Sequence, residues 1–530
     1  MRARFSFSTA DLAVGLLTSI FGAIAARFVW QPVLASFADD SVSYLVMAQV
    51  FSPWQAAIPP VAEAFSHEAF YPPLFPALLG LLGAAHDTAL AHAVTALMLA
   101  ACLPLVYVLG IRWLGEKWAA AAVVLTVALL PSLWIHVKGV LSEPLFSLLL
   151  LATLCVLETK LARNAWLPAL AMAALALTRT VGLAVVAAHA LWAVTRPGRP
   201  LAARMRALLP ALAAAAAYAT WVLLRPAETS DVNVRIMVER LLGLAGEDAL
   251  WAALWNGLLT QANALAEAWV GALMLFWVEG RPVRVVLAGA VGFLALAGMA
   301  ARLAAGKADG WMLAAYLVTF LLWPFHDQMT RFLFPVLPVL FLYAFWALAA
   351  ALRAVGRAPG MGHALLALVA LSLSVPALAF IQQRASSGGR YAEMTDWYRR
   401  PDLDDARARS QVHLDLLADM ELIKSLTGPE ARVMWVAPSY IALLAERRGV
   451  RAPQPDLGPA AYRAAVRKAR PDYVFLSVYH PRDTLRDAAW RAGIAALSGR
   501  AQTVHARPRP DGAPGSLLLK PGSSLLEGGD

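Results

Sequence analysis

Apolar runs approaching twenty residues recur along most of this chain, and nothing constrains its fold more. A helix needs about 20 residues to cross a bilayer. Inside lipid, helices and closed barrels alone can satisfy every backbone polar group. Of 530 residues, 60% are hydrophobic and 15% charged, with a mean hydropathy of +0.60. A soluble domain of this size has no use for so much apolar surface. The expected fold class is a polytopic α-helical membrane protein with about eleven spans and a small C-terminal α/β domain on the outer, periplasmic side.

The expected spans are 11–30, 89–110, 117–134, 141–157, two short ones within 165–195, then 207–224, 284–302, 311–324, 332–350 and 364–382. The first follows Arg2 and Arg4 and runs without a small-residue cleavage pattern, so it reads as a retained span rather than a signal peptide. Long outer loops are expected at 31–88 and 225–283, the second with an apolar re-entrant or interfacial stretch at 264–279. An odd number of crossings puts the remainder of the chain outside. From about Ser386 the composition turns polar and charged. Strand-like Arg432–Ala437 and Asp472–Val478 alternate with helical 411–426, 439–447 and 462–470, the pattern of a small layered α/β domain over 386–506. The Pro- and Gly-rich 507–530 reads as mostly flexible, apart from Leu517–Leu519.

The net charge of +10 does not point to nucleic acid, because of where it sits. Basic residues gather in short loops, at Arg112/Lys117, Lys160/Arg163, Arg196 to Arg206, Arg302/Lys307 and Arg353/Arg357. That is the bias of cytoplasmic loops, with contact to lipid headgroups as a second use. Both cysteines, Cys102 and Cys155, fall inside apolar runs, which excludes a CxxC zinc site.

Candidate chemistry clusters in the loops on the outer side. Asp39-Asp40-Ser41-Val42-Ser43-Tyr44 follows the first span. On a helix, Asp40 and Tyr44 share a face at i, i+4, and Asp40 also suits a helix N-cap. The segment from Phe65 to Pro76 carries His67, Glu68 and Tyr71, and its three prolines suggest an extended chain. Leu141-Ser142-Glu143-Pro144 opens a span, with Ser142 as a cap and Glu143 facing the positive helix terminus. Lys138 suits a lipid phosphate or simple snorkelling. Arg179, His326 and Arg331 complete the set; a guanidinium at membrane depth is a functional candidate. Asp39 and Asp40 are the residues available to a divalent metal.

In order, the acidic pair with its downstream tyrosine, YPPLFP, SEPLF, TRTVGL and RFLFPVLP, ahead of an outside α/β domain, resemble the GT-C-type glycosyltransferases. The nearest resemblance is to bacterial members related to protein O-mannosyltransferases and to the aminoarabinose transferases of lipid A. It covers roughly residues 10–480. The resemblance implies transfer of a sugar from a polyprenyl-phosphate carrier to a hydroxyl or phosphate acceptor at the periplasmic face of a bacterial inner membrane. It implies an essential acid in the first outer loop, in an Asp-Glu-x-x-Tyr setting. Asp40 matches that acid by its distance to Tyr44, whereas Ser41 replaces the Glu and Asp39 stands just before the motif. Either aspartate could be the base. Some relatives place a lysine where Tyr71 stands, so the carrier phosphate would pass to Lys138 or Arg331. Two other classes fit the composition: a transporter or lipid flippase, and a scaffold presenting the outer domain. The first needs polar breaks near the bilayer midplane, commonly with internal repeats, and the sequence has neither.

Overall fold

The computed structural model describes residues 7–34, 39–159, 161, 164, 166–195, 200–226, 250–276, 282–323, 325–453, 458–478, 483–509 and 512–527. Its helices are α1 (Thr9–Val29), α2 (Asp39–Phe51), α3 (Pro59–Glu68), α4 (Leu74–Leu81), α5 (Thr88–Leu114), α6 (Lys117–Ala128), α7 (Pro131–His136), α8 (Glu143–Glu158), α9 (Trp166–Ala176) and α10 (Gly182–Thr195). They continue with α11 (Leu201–Leu224), α12 (Leu250–Met274), α13 (Pro282–Ala304), α14 (Ala308–Leu321), α15 (Met329–Leu333), α16 (Leu337–Ala354), α17 (Pro359–Ser387), α18 (Asp396–Arg399) and α19 (Leu403–Leu426).

The expected spans lie on helical segments, but 117–134 is divided between α6 and α7, and 332–350 is broken by a 3-10 turn at Phe334–Val336. Six helical runs among the described residues are long and apolar enough to cross a membrane: α1, α5, α11, α13, the run from His326 to Ala354, and α17. Four shorter apolar helices, α6, α9, α10 and α14, accompany them. The ends are set locally. Ser8 and Asp11 form a reciprocal capping box on α1, Asp87 caps α5, and Gly115 stops α5 with a left-handed φ of 81°. Helices α13 and α16 approach so closely that a Cβ on Gly298 would lie 2.4 Å from the Tyr343 carbonyl oxygen. The expected re-entrant stretch is part of the longer α12; Trp277 and 227–249 of that loop lie outside the described residues.

The segment from Phe65 to Pro76 differs from its expected extended form. His67 and Glu68 occupy the last turn of α3, and Pro76 sits inside the first turn of α4, where a missing N–H costs nothing. The prolines break the chain only at residues 69–73.

Beyond α17 lies a five-stranded sheet of order β2-β1-β3-β5-β4, built from β1 (Arg432–Trp435), β2 (Arg448–Arg451), β3 (Tyr473–Ser477), β4 (Ala501–Pro508) and β5 (Pro514–Pro521). β1 pairs parallel with β2 and β3, and β5 pairs antiparallel with β3 and β4. Helices α20 (Pro438–Leu444), α21 (Gly458–Ala469), α22 (Asp483–Leu497) and α23 (Ser523–Glu527) complete this part. Leu517, Leu518 and Leu519, the part of the tail expected to be ordered, are buried against β3. The order extends further than expected: β5 takes in all of Pro514–Pro521 between β3 and β4, and Ser523–Glu527 is helical.

The sheet domain and the first outer loop share one apolar core, in which Leu45, Val61 and Phe75 meet Leu416, Trp435 and Ile441. Glu68, buried at this junction, accepts hydrogen bonds from Ser43 of α2 and Ser439 of α20. Glu68→Ala removes the acceptor that ties the two halves, at a cost of about 1–3 kcal/mol. Limited proteolysis of the purified variant should release the C-terminal part faster than from the parent; equal rates would show that the apolar core alone holds the junction.

Candidate active site

Five separate segments converge, two of them from residues 31–88. Helix α2 begins at Asp39, which places Asp40 in the first turn rather than at an N-cap; the Asp39 side chain lies outside the described residues. Pro144 in the first turn of α8 starts that helix at Glu143. Arg179 lies in the turn between α9 and α10, and Leu177 of that turn accepts a 2.9 Å backbone bond from Leu74, fixing it against the Tyr71 segment. Arg331 is carried by the five-residue α15. Pro335 and Pro338 break the chain after it into a 3-10 turn and then α16, and Tyr316 donates to the Phe332 carbonyl at 2.7 Å.

The arginine at 331 joins two carboxylates, donating through Nη2 to Asp40 Oδ2 and through Nε to Glu143 Oε1. Arg179 stands 2.7 Å from the same Glu143 oxygen and donates to Ser142 Oγ at 3.1 Å. Tyr71 donates to the other Asp40 oxygen. Tyr44, one turn after Asp40, meets Ser142 Oγ at 2.8 Å and packs on Tyr71 with ring centroids 4.8 Å apart. Ser142 therefore serves Tyr44 and Arg179 and caps nothing, and Glu143 answers two guanidiniums as well as a helix end. Two carboxylates and two guanidiniums balance in charge, which is what makes so polar a group tolerable at this depth.

Access is uneven. The Asp40 side chain keeps 20% of its surface and Arg331 keeps 16%, while Glu143 keeps 1%. Glu143 Oε2 is buried with no hydrogen-bond partner among the described residues. Burial pushes the Asp40 carboxyl up, but Arg331 beside it, with the Tyr71 bond and Arg179, holds it below its ordinary value. Burial and the Asp40 charge push the Tyr71 phenol well above its own, so Tyr71 stays a donor.

The other candidates lie elsewhere. The Lys138 ammonium is buried over the rings of Phe28 (4.5 Å) and Tyr398 (5.0 Å) and touches none of Asp40, Glu143, Arg179 or Arg331. Its expected part in binding a phosphate is corrected to an aromatic anchor between α1 and α18, because desolvation among rings favours a cation–π contact. Glu68 is a buried junction residue, not a solvated ligand. His67 is exposed at the end of α3, and His326 is exposed in a 3-10 turn ahead of Arg331. Arg399 of α18 was not legible beforehand, having no motif around it; it lies within electrostatic reach of Arg331 and Glu143.

Both Asp40 oxygens are engaged by Tyr71 and Arg331, and no three His, Cys, Asp or Glu side chains converge among the described residues, which do not include the Asp39 side chain.

No family model matches the chain, and no curated protein does. Among solved structures, it is similar to the archaeal oligosaccharyltransferase AglB from Archaeoglobus fulgidus in complex with an inhibitory peptide and a dolichol-phosphate, at 14% identity over 97% of this chain and 76% of that one, with a TM-score of 0.47. It is also similar to the Archaeoglobus fulgidus oligosaccharyltransferase tethered to an acceptor peptide, at 14% identity, the same coverage and a TM-score of 0.45. A likeness of this size transfers no residue role.

Proposed function

We propose that this chain is an integral-membrane glycosyltransferase of the GT-C type, moving a sugar from a polyprenyl-phosphate carrier to an acceptor at the membrane face that carries Asp40. The carrying observation is the Asp40–Arg331–Glu143–Arg179 cluster: a partly exposed carboxylate hydrogen-bonded to a guanidinium that a second carboxylate shares. The carrier phosphate competes with Asp40 for Arg331. As the guanidinium turns to the phosphate, Asp40 is released to take the acceptor proton.

The acceptor oxygen then attacks the anomeric carbon from the face opposite the phosphate. The bond from that carbon to the phosphate oxygen breaks, and the carrier phosphate leaves with the electron pair, inverting the centre. Arg331 and Arg179 stabilise the charge developing on the leaving group. Glu143, buried beneath them, holds both guanidiniums in place. A lone displacement of this kind needs one base, unlike the paired-carboxylate hydrolytic designs. The bacterial inner membrane, with the cluster and sheet domain on its periplasmic side, is the setting this reading implies.

Purified protein incubated with a polyprenyl-phosphate sugar and a crude envelope acceptor fraction should release the free carrier phosphate. Movement of the intact lipid across a vesicle bilayer without cleavage would instead favour a flippase.

The pH dependence follows from the depressed Asp40 pKa. A group ionised below its ordinary value of about 3.9 keeps both its basicity and its ion-pair stabilisation above that value, and loses them only as the pH falls through the lower, folded one. The kcat/KM for transfer, which reports the free enzyme in which Arg331 still holds Asp40, should therefore be flat from about pH 5 to 7. An acid limb centred near neutrality would assign the base to another group.

A further inference from the structure

A second polar site lies at the other end of the bundle. Helix α8 carries Glu143 at its first residue and Glu158 at its last, a rise of about 22 Å at 1.5 Å per residue. Near Glu158 a cavity of about 630 Å³ opens between α8, α9, α10, α11 and the start of α14. Apolar Leu154, Leu157 and Pro210 form part of its wall. Its two acids share one guanidinium, since Arg302 bonds Asp309 at 2.5 and 2.9 Å and Glu158 at 2.8 Å.

Two cations on the lining, Arg206 and Lys307, stand exposed at its rim with no ion-pair partner among the described residues, and the buried His189 ring has an Nδ1 with no hydrogen-bond partner among them. The outer face of α11 beside them exposes Leu209 (50%) and Leu212 (57%), as a surface against lipid does. A pocket with two cations at its rim, two acids held by Arg302 and apolar walls beside the exposed apolar face of α11 matches a phosphate joined to acyl chains.

We infer that this cavity binds the phosphodiester headgroup of an anionic phospholipid, with Arg206 and Lys307 facing its charge, His189 donating from the wall and the acyl chains lying along α11. The site is about one helix length from the Asp40 cluster and is separate from any carrier bound there.

Delipidated full-length protein in detergent, titrated with phosphatidylglycerol and followed by native mass spectrometry, should retain one tightly held lipid. Phosphatidylcholine should bind at least about tenfold more weakly, and the Arg206→Gln/Lys307→Gln pair should weaken phosphatidylglycerol by a similar factor. Ala207→Trp fills the cavity without changing charge and should also remove the bound lipid. Equal binding of the two lipids would overturn the inference, as would unchanged affinity in both variants. Displacement of the lipid by inorganic phosphate would also overturn it, marking a soluble-phosphate site.

Discussion

Asp40→Asn is expected to lower sugar transfer by about 10²–10⁴-fold, the range that a positioned general base contributes, while the protein remains folded in the membrane. Asparagine keeps the shape and can still accept from Tyr71, but its amide cannot take a proton from the acceptor. Its NH₂ would also face the Arg331 guanidinium where a carboxylate oxygen now accepts. Arg331 keeps Glu143 as a partner, so the cluster is weakened and not emptied. The measurement is turnover of a polyprenyl-phosphate sugar by purified parent and variant, with thermal unfolding as the control for folding. Asp39→Asn is the matched comparison and should stay near parental activity. Near-normal turnover by Asp40→Asn would remove its catalytic assignment, and selective loss in Asp39→Asn would move the role one residue back.

Arg331→Gln should have the largest effect on stability. Taking away the shared cation leaves Asp40 without its guanidinium partner and leaves Glu143 to Arg179 alone. Breaking a buried pair from one side typically costs about 3–5 kcal/mol. Transfer should also collapse, because the leaving phosphate loses its cation. Arg331→Lys keeps the charge but not the fork that spans two carboxylates, so it should recover stability only in part. The double variant Arg331→Gln/Glu143→Gln should be less damaged than the two single costs added, because the second change removes a carboxylate short of a partner. Strict additivity in unfolding measurements would mean that the two side chains do not interact.

The helical class and the run of spans were readable from the chain because bilayer thickness imposes a length on apolar segments, whatever packs beside them. The acid at position 40, its tyrosine one turn on and the arginines at 179 and 331 stood out for a related reason: ionisable groups are costly near lipid. Strands β1 and β3 were visible as short buried apolar runs. Strands β2 and β5 were not, since Arg448–Arg451 is polar, and Pro514–Pro521 carries the composition of a loose tail. Pairing to β3 across forty residues supplied what local propensity lacked.

Partnership was beyond that reading. Arg331 meets Asp40 across 291 positions and Glu143 across 188, and Tyr71 meets Asp40 across 31. Lys138, five residues before Glu143, turns instead to Phe28 and Tyr398. Local chemistry along the chain was enough to show that charges must exist at the membrane boundary and roughly where they lie. Which charges neutralise which depended on helix packing, because a buried ion pair is set by distances between elements and not by the spacing of letters along any one of them.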